Sequence, residues 1–469
     1  MCVPMAPPPY SDAAPRWREL FTDGLTHTTL GLLLMETLVA VQVLVTVAVM
    51  PAVLSELGGI RLYGVALSAA QLATVVALPV TPRLVDRWGL PRVFWVSAGV
   101  FAAGSVVSLA APDIVTFVAG RLLQGAGDGA QYALLLTILT RRYTPRLRPR
   151  MFAGLAIAWA VPGLVGPLYG GFVASTLGWR WAFALILPLL IPALLLLRAD
   201  VTEPAPVADQ AEPAAEPAST AALAVFGTGV LLVLGSLTIE GSKGLLLGVP
   251  GFLLAVAALR RILPAGSFVA RPGLPAVVAV AFLVNASFFV IEGFLPALLT
   301  GVSRTPLTLA DLVVTCGVLT WVLGTWLQSR LAARWQPRPV ATAGQVVMLA
   351  GVGGVLFGIL GSRDPAVYIS WGIAGFGIGM AYPSIALLAT ELASAGSEVV
   401  TLAQYQVAET LGSGVGPAAV GAALTASLAA GFDLRQGLLV GFTSVGFVLA
   451  ASVGASTRLP TPPVQAPAS

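Results

Sequence analysis

Apolar residues run along this chain in long blocks of about 20, the length of a helix that crosses a bilayer core. They predict spans at about 29–50, 62–81, 93–111, 114–140, 151–175, 181–197, 221–239, 245–259, 274–300, 307–328, 339–360, 366–390, 399–429 and 434–455. Inside lipid each backbone polar group has to be satisfied within its own segment, so blocks of this length predict helices. That makes fourteen spans, or twelve if the pair at 221–259 does not cross; 245–259 is marginal in length. The pair is an even number, so later loops keep their side in both cases.

The pattern divides the chain. Residues 1–28 form a cytoplasmic N-terminal segment, disordered over 1–15, with RWRELFTDGL at 16–25 as either a membrane-surface amphipathic helix or an ordinary lead-in. A six-helix bundle follows at 29–198. Residues 199–219 are Pro, Ala and acid without an aromatic, a disordered cytoplasmic linker by composition. An extra helix pair and loop occupy 220–272, a second six-helix bundle 273–455, and a disordered cytoplasmic tail 456–469.

The two bundles repeat each other. RLVDRW at 83–88 returns as RLAARW at 330–335, and MPAVL at 50–54 as LPALL at 295–299. GAGDGAQY at 125–132 returns as GFGIGMAY at 375–382, and VGP at 165–167 as VGP at 415–417. The offsets are 247, 245, 250 and 250 residues, in one order. This describes two pseudo-symmetric six-helix bundles, an arrangement of transporters with the substrate site between the halves near the midplane. The fold class is therefore an all-α polytopic membrane protein with an extra helix pair between the bundles.

Charge adds direction. Only 10% of residues are charged against 57% hydrophobic, with mean hydropathy +0.90, far from a soluble domain. The net charge of +4 is a topology signal and not a sign of nucleic-acid binding. Arginines gather in loops assigned to one side, 18 against 5 on the other, and five of them (Arg141, Arg142, Arg146, Arg148 and Arg150) fill the loop between the fourth and fifth spans. Such loops stay cytoplasmic, so both termini are expected inside a cell membrane that the chain crosses many times. Cys2 and Cys316 are too few and too distant for a disulfide framework, and His27 is the single histidine. A metal cluster, a nucleophilic triad and a phosphate-binding G-x-x-x-x-G-K-[ST] loop are all missing from the sequence, which predicts a non-enzyme with no cofactor or metal.

Four acids stand inside apolar blocks: Glu36, Asp128, Glu292 and Glu409. An ionised carboxylate at the bilayer centre costs about 3 kcal/mol on insertion scales, and a carboxyl that takes up a proton avoids that cost. Each acid is read either as a proton-coupling group or as a structural hydrogen-bond partner. Arg121 shares a helix face with Asp128, about 10 Å away along the axis, too far for direct contact. Tyr132, Trp159, Tyr382 and Tyr405, with Phe288 and Phe289, are candidates for a weakly polar cavity lining, or for packing.

Three motifs carry a family resemblance over nearly the whole chain. PRLVDRWGLP at 82–91 resembles the loop after the second span of the major facilitator superfamily, keeping Asp86, Arg87 and Gly89, with Pro82 for its first glycine and the final basic pair displaced to Arg92. Arg121, Gln124, Gly125 and Gly127 match R-x-x-Q-G-x-G of its fourth span. Pro162, Gly166, Pro167, Gly170 and Gly171 resemble its antiporter motif, with Pro162 in place of the first glycine, and GWRWAF follows at 178–183. The resemblance, nearest to the 14-span drug:proton antiporter branch, implies a cytoplasmic gating loop from Arg83, Asp86, Arg87 and Gly89, with Arg330 and Arg334 in the second half. It implies a proton-coupling role for Arg121, and export rather than import. The family's first-span acid position falls at Gln42, so its transfer to Glu36 is shifted by six residues. The expected function is proton-coupled antiport of lipophilic small molecules, as in multidrug or antibiotic efflux, by a monomer whose partners are substrate, protons and lipid. Export of one endogenous metabolite or lipid, or a non-transporting scaffold or sensor, are the alternatives.

Overall fold

The computed structural model describes residues 17–22, 24–144, 146–202, 220–236, 241–332, 334–392 and 398–461, and every element among them is helical. The disorder expected of residues 1–15, 199–219 and 456–469 falls outside them except at 199–202 and 456–461; in the latter stretch Leu459 is buried and Arg458 donates to the Val269 carbonyl, so the start of the expected tail packs on the fold. The first half is α1 (Thr26–Leu57), α2 (Tyr63–Trp88), α3 (Leu90–Leu109), α4 (Ile114–Arg142), α5 (Arg148–Ala158), α6 (Ala160–Thr176), α7 (Arg180–Ala184) and α8 (Ile186–Thr202). The helices α9 (Thr220–Ser236) and α10 (Leu245–Ile262) form the extra pair. The second half is α11 (Leu274–Gly301), α12 (Leu307–Ala310), α13 (Leu312–Leu331), α14 (Pro337–Leu360), α15 (Asp364–Glu391), α16 (Glu398–Ala429) and α17 (Leu434–Ser456).

Among the described residues, ten helical segments are long and apolar enough to cross a bilayer. Of the fourteen predicted blocks, four fall outside that set. The helix α4 is long, but Arg121, Gln124, Asp128 and Gln131 dilute it. The block at 151–175 is two helices, because Pro162 has no N–H for the Ala158 carbonyl and the chain turns at Trp159. The extra pair is short, 17 and 18 residues. Large apolar side chains face outward all round, among them Val115, Phe172, Ile191, Phe357 and Phe447, as a multi-pass membrane protein requires.

Besides the start of the tail, two more boundaries differ from the sequence expectation. The expected linker start at 199 is helical to Thr202, because Asp200 is anchored: Thr28 Oγ1 donates to its carboxylate at 2.8 and 2.9 Å, and Arg142 Nε lies 2.8 Å from it. The expected gating loop is mostly not a loop. Arg83, Asp86 and Arg87 form the last turns of α2, and only Gly89, at φ 82°, turns the chain into α3. Arg330 likewise ends α13, its guanidinium over the Trp326 ring, while Arg334 follows in a turn.

The repeated glycines explain the packing. A Cβ on Gly125 or Gly129 would fall within 2.8 Å of α2 backbone, and one on Gly127 within 2.7 Å of Phe101 in α3. Gly375 and Gly379 meet α13 in the same way, and Gly377 meets α14. So α4 lies against α2 and α3, and α15 against α13 and α14. The N-terminus of α4 is capped by Asp113, which accepts from the Thr116 N–H at 2.8 Å; that bond holds its carboxyl below the ordinary carboxylate range. At the same end GWRWAF ties three elements together: Trp179 Nε1 donates to Glu56 at 2.8 Å, Arg180 pairs with Glu56, and Arg180 also donates to the Ala111 carbonyl.

The halves meet at the end away from the arginine-rich loop. There α2 crosses α16 at Gly64 and Gly421, and α6 packs on α12 and α13. Tyr63 donates to the Gly293 carbonyl of α11 at 2.7 Å, and Thr425 to the Arg61 carbonyl at 3.1 Å. One apolar core runs through both halves here, whereas the arginine-rich end of the first half has a separate core around Leu32, Phe94, Leu134 and Leu194. The extra pair packs through α9 on α2, and Gln404 of α16 donates to the Ile262 carbonyl.

Candidate functional site

Between the halves the helices bring together residues far apart in sequence. The turn at Trp159 aims its indole across the bundle, and Nε1 donates to Glu36 Oε1 at 2.7 Å. The other oxygen of Glu36 has no hydrogen-bond partner. In the second half Tyr382 donates to Glu409 Oε2 at 3.2 Å, and the Tyr405 hydroxyl stands beside the same carboxyl. Glu409 Oε1 is unpartnered. Tyr132, from the repeated Gly-rich segment of α4, donates across the boundary to Gln406 Oε1 of α16 at 3.1 Å. It lies within electrostatic reach of Glu36, Asp128 and Glu409.

Asp128 sits one layer behind. Thr74 of α2 donates to it at 3.4 Å and to the Gly125 carbonyl at 3.0 Å. It feels the charges of both Glu36 and Arg121. Arg121 is 2% exposed; it donates to Gln124 Oε1 at 2.8 Å, and Gln124 donates to Ser105 of α3 at 2.9 Å. The Arg121 Nε has no partner, and no direct ion pair joins Arg121 to Asp128 among the described residues. A guanidinium held this way keeps unsatisfied charge beside the cluster.

An aromatic path leads to Glu409. Phe288 stacks on Trp371 at 4.7 Å between ring centroids and stands edge-on to Trp321, which faces Tyr382. The cluster thus joins two carboxyls, one from each half, with hydroxyl and indole donors and apolar rings. Such a set can bind a cationic or lipophilic group, and it can hold or release protons at either carboxyl.

Of the acids singled out from sequence, Glu36, Asp128 and Glu409 come together with Tyr132, Trp159, Tyr382 and Tyr405. Glu292 stands apart, buried in α11, with neither oxygen hydrogen-bonded. The antiporter-motif residues divide between two neighbours: Gly166 and Gly170 face Leu44 and Ala48 of α1, while Gly171 faces Thr308 and Asp311 of the second half. Gly163, not singled out from sequence, faces Val318 of α13. Pro162 is buried at the kink. At the arginine-rich end Asp86, Arg87, Arg330 and Arg334 are exposed, and no ion pair reaches Asp86 among the described residues. In this conformation the halves touch at the opposite end.

Sequence reading missed Asp311. It is 0% exposed with neither oxygen hydrogen-bonded. The signal was its place inside the apolar block at 307–328, close to the block's start.

A model of the Major Facilitator Superfamily matches residues 32–417. A probable multidrug-efflux transporter of Mycobacterium tuberculosis (strain ATCC 25618 / H37Rv) is 27% identical over 93% of this chain and 94% of its own length. A multidrug resistance protein B homolog of the same strain is 25% identical over 72% of this chain and 63% of its own. Among solved structures, a D-xylose-proton symporter has a TM-score of 0.65 at 16% identity, covering 94% of this chain and 99% of that one. A bacterial homolog of the human lysosomal transporter Spinster, inward-facing and unoccupied, has a TM-score of 0.64 at 17% identity, covering 92% and 97%. These two structures share the fold.

Proposed function

The chain belongs to the major facilitator superfamily and is a membrane transporter rather than an enzyme, and on that premise we propose that it exports lipophilic small molecules in exchange for protons. The observation that carries this reading is the cluster between the halves. Glu36 and Glu409 each hold one oxygen in a hydrogen bond and leave the other free, and Tyr132 bridges the boundary between them. A proton on either carboxyl removes the cost of a buried charge, about 3 kcal/mol, and a cationic substrate removes it equally well. Proton and substrate therefore compete for the same two groups. Proton entry from outside and release inside drive the cycle, because each ligand favours one arrangement of the halves.

The halves are read as pseudo-symmetric. Matching glycines in α4 and α15 seat matching helices, and α1 packs on α6 and α8 as α11 packs on α16 and α17. With the extra pair counted as crossing, the chain has fourteen spans, and the arginine-rich end with both termini faces the cytoplasm. The conformation described is then closed outside and open inside. Arg121 and Asp128 tune the cluster from behind it. The residues Arg83, Asp86, Arg87, Gly89, Arg330 and Arg334 join across the cytoplasmic end when that side closes. The glycines of the antiporter motif let α6 slide on α1 and α13.

Efflux as the direction is supported by the names of the mycobacterial relatives and by the antiporter motif. The apolar and aromatic lining with two acids suits lipophilic cations over sugars or peptides. Ethidium efflux from vesicles, with and without an imposed pH gradient, tests the reading. Acceleration by the gradient, lost in Glu36→Gln and Glu409→Gln, is expected; efflux indifferent to the gradient in the unaltered protein rejects proton coupling.

A further inference from the structure

The crossings that join the halves at the end away from the arginine-rich loop are not equivalent. Where α2 meets α16, Gly64 lies on Gly421 and the backbones touch: a Cβ on Gly64 would be 2.7 Å from the Gly421 Cα. The repeat relates Gly421 to Gly171, at the offset of 250 residues, and relates Gly64 to position 311, at the offset of 247 residues. The second crossing, α6 on α12 and α13, therefore uses the same two places. At position 311 it carries an aspartate in place of a glycine, and a Cβ on Gly171 would run into the Asp311 carboxylate oxygen.

Asp311 is 0% exposed and neither of its oxygens has a hydrogen-bond partner. It occupies the N-cap position of α13 but caps nothing, because α12 runs directly into α13 and the preceding backbone is already helical. Two hydroxyls are close enough to feel it, Tyr63 of α2 and Tyr368 of α15, and both are engaged elsewhere: Tyr63 donates to the Gly293 carbonyl and Tyr368 to the Leu309 carbonyl. The helices α6 and α12 carry no acid or base, and Tyr169 is the one titratable group of α6. Glu292, the one acid of α11, shows no electrostatic coupling to Asp311. On α15, Asp364 and on α13, Cys316 are felt at Tyr368, and Asp364 also accepts from Ser303 at 2.7 Å. Among the described residues no cation offsets a charge here, and a carboxylate without cation or donor does not persist in such a place.

We propose that Asp311 is a protonation-controlled lock on the outer side of the transporter, closed against Gly171 when it carries a proton and released when it loses it to outside water. This rests on the reading above that the arginine-rich end is cytoplasmic. The lock differs from the Glu36–Glu409 cluster in position and duty. Opening between α6 and α13 exposes Asp311 to the outside alone, so its proton returns to the side it came from and is not carried across. The consequence is that outer closure requires an outside proton even when the central cluster is occupied by substrate.

The test uses the full chain in lipid nanodiscs with spin labels at Ser175 and Ser362, both exposed at this end. In the otherwise unaltered protein the inter-label distance is expected to lengthen as pH rises. Asp311→Asn should stay short throughout, and Gly171→Ala should stay long even at low pH because its methyl displaces the carboxyl. An Asp311→Asn profile with the same midpoint as the unaltered protein, or a Gly171→Ala variant that closes as the unaltered protein does, overturns the proposal. Dye efflux measured on the same preparations separates the two readings. A pH-dependent distance abolished by Asp311→Asn, in a protein whose efflux ignores the pH gradient, keeps the lock and removes proton exchange.

Discussion

Replacing Gly64 by alanine perturbs the point at which α2 and α16 touch. The new Cβ would lie 2.7 Å from the Gly421 Cα and 3.1 Å from its nitrogen, and would strike the Pro417 carbonyl oxygen. Carbon atoms rest at about 3.5–4.0 Å, so the helices have to part by roughly 1 Å. The obstacle is backbone on both sides, and no side chain can swing away. Overpacking of this kind costs about 1–3 kcal/mol. The contact exists only when this end is closed, so the whole cost falls on the closed state and shifts the open-to-closed ratio by about 5- to 150-fold. Gly421→Ala meets the Gly64 Cα at 2.6 Å and is expected to do the same. The double variant should exceed either single by less than their sum, because the first methyl has already parted the helices. Spin labels at Ser55 and Ala430, exposed on opposite halves near the crossing, report the opening as a growing long-distance population. Wild-type distance distributions in both single variants would refute the claim that this glycine pair holds the end shut.

Other outcomes follow from the same contacts. Trp159→Phe keeps a ring at the kink but removes the donor to Glu36; a hydrogen bond to a charged group is worth about 1.5–3 kcal/mol, so efflux should fall at least about tenfold at unchanged membrane level. Arg121→Ala should abolish gradient-driven efflux while the protein remains in the membrane; near-normal driven efflux would remove its coupling role. Asp200→Ala takes away the carboxylate that accepts from Thr28 and pairs with Arg142, and should lower the thermal midpoint of the purified protein through a loss of about 3 kcal/mol. An unchanged midpoint would mean that the end of α8 is held by other contacts.

The membrane class and most span positions were legible because they rest on one local feature, the length of the apolar blocks. The residues of the central cluster were legible one at a time, since a charge or tyrosine inside an apolar block stands out. Their assembly was not, because the Tyr132–Gln406 and Trp159–Glu36 contacts depend on crossings between distant segments. The block at 151–175 was read as one span, and only the fold shows that it breaks before Pro162 and delivers Trp159 to Glu36. The expected gating loop was misplaced because RLVDRW is charged, and charge was read as loop, although nothing in those residues stops a helix before Gly89. Asp311 was passed over for the opposite reason: an acid near the start of an apolar block looks like solvated punctuation. Its burial depends on α6, 140 residues away at Gly171. The placement of Glu292 away from the other acids was equally invisible from the order of residues.

The central claim is that movement of substrate outward is tied to movement of protons inward through Glu36 and Glu409. The most direct measurement places the purified protein in liposomes with a pH-sensitive dye inside and follows proton flux when a lipophilic cation is added to one side with no gradient imposed. The account predicts proton movement opposite to the substrate in the unaltered protein and none in the Glu36→Gln/Glu409→Gln double variant. Equal proton movement in both proteins, or substrate movement with no proton movement in either, would contradict it.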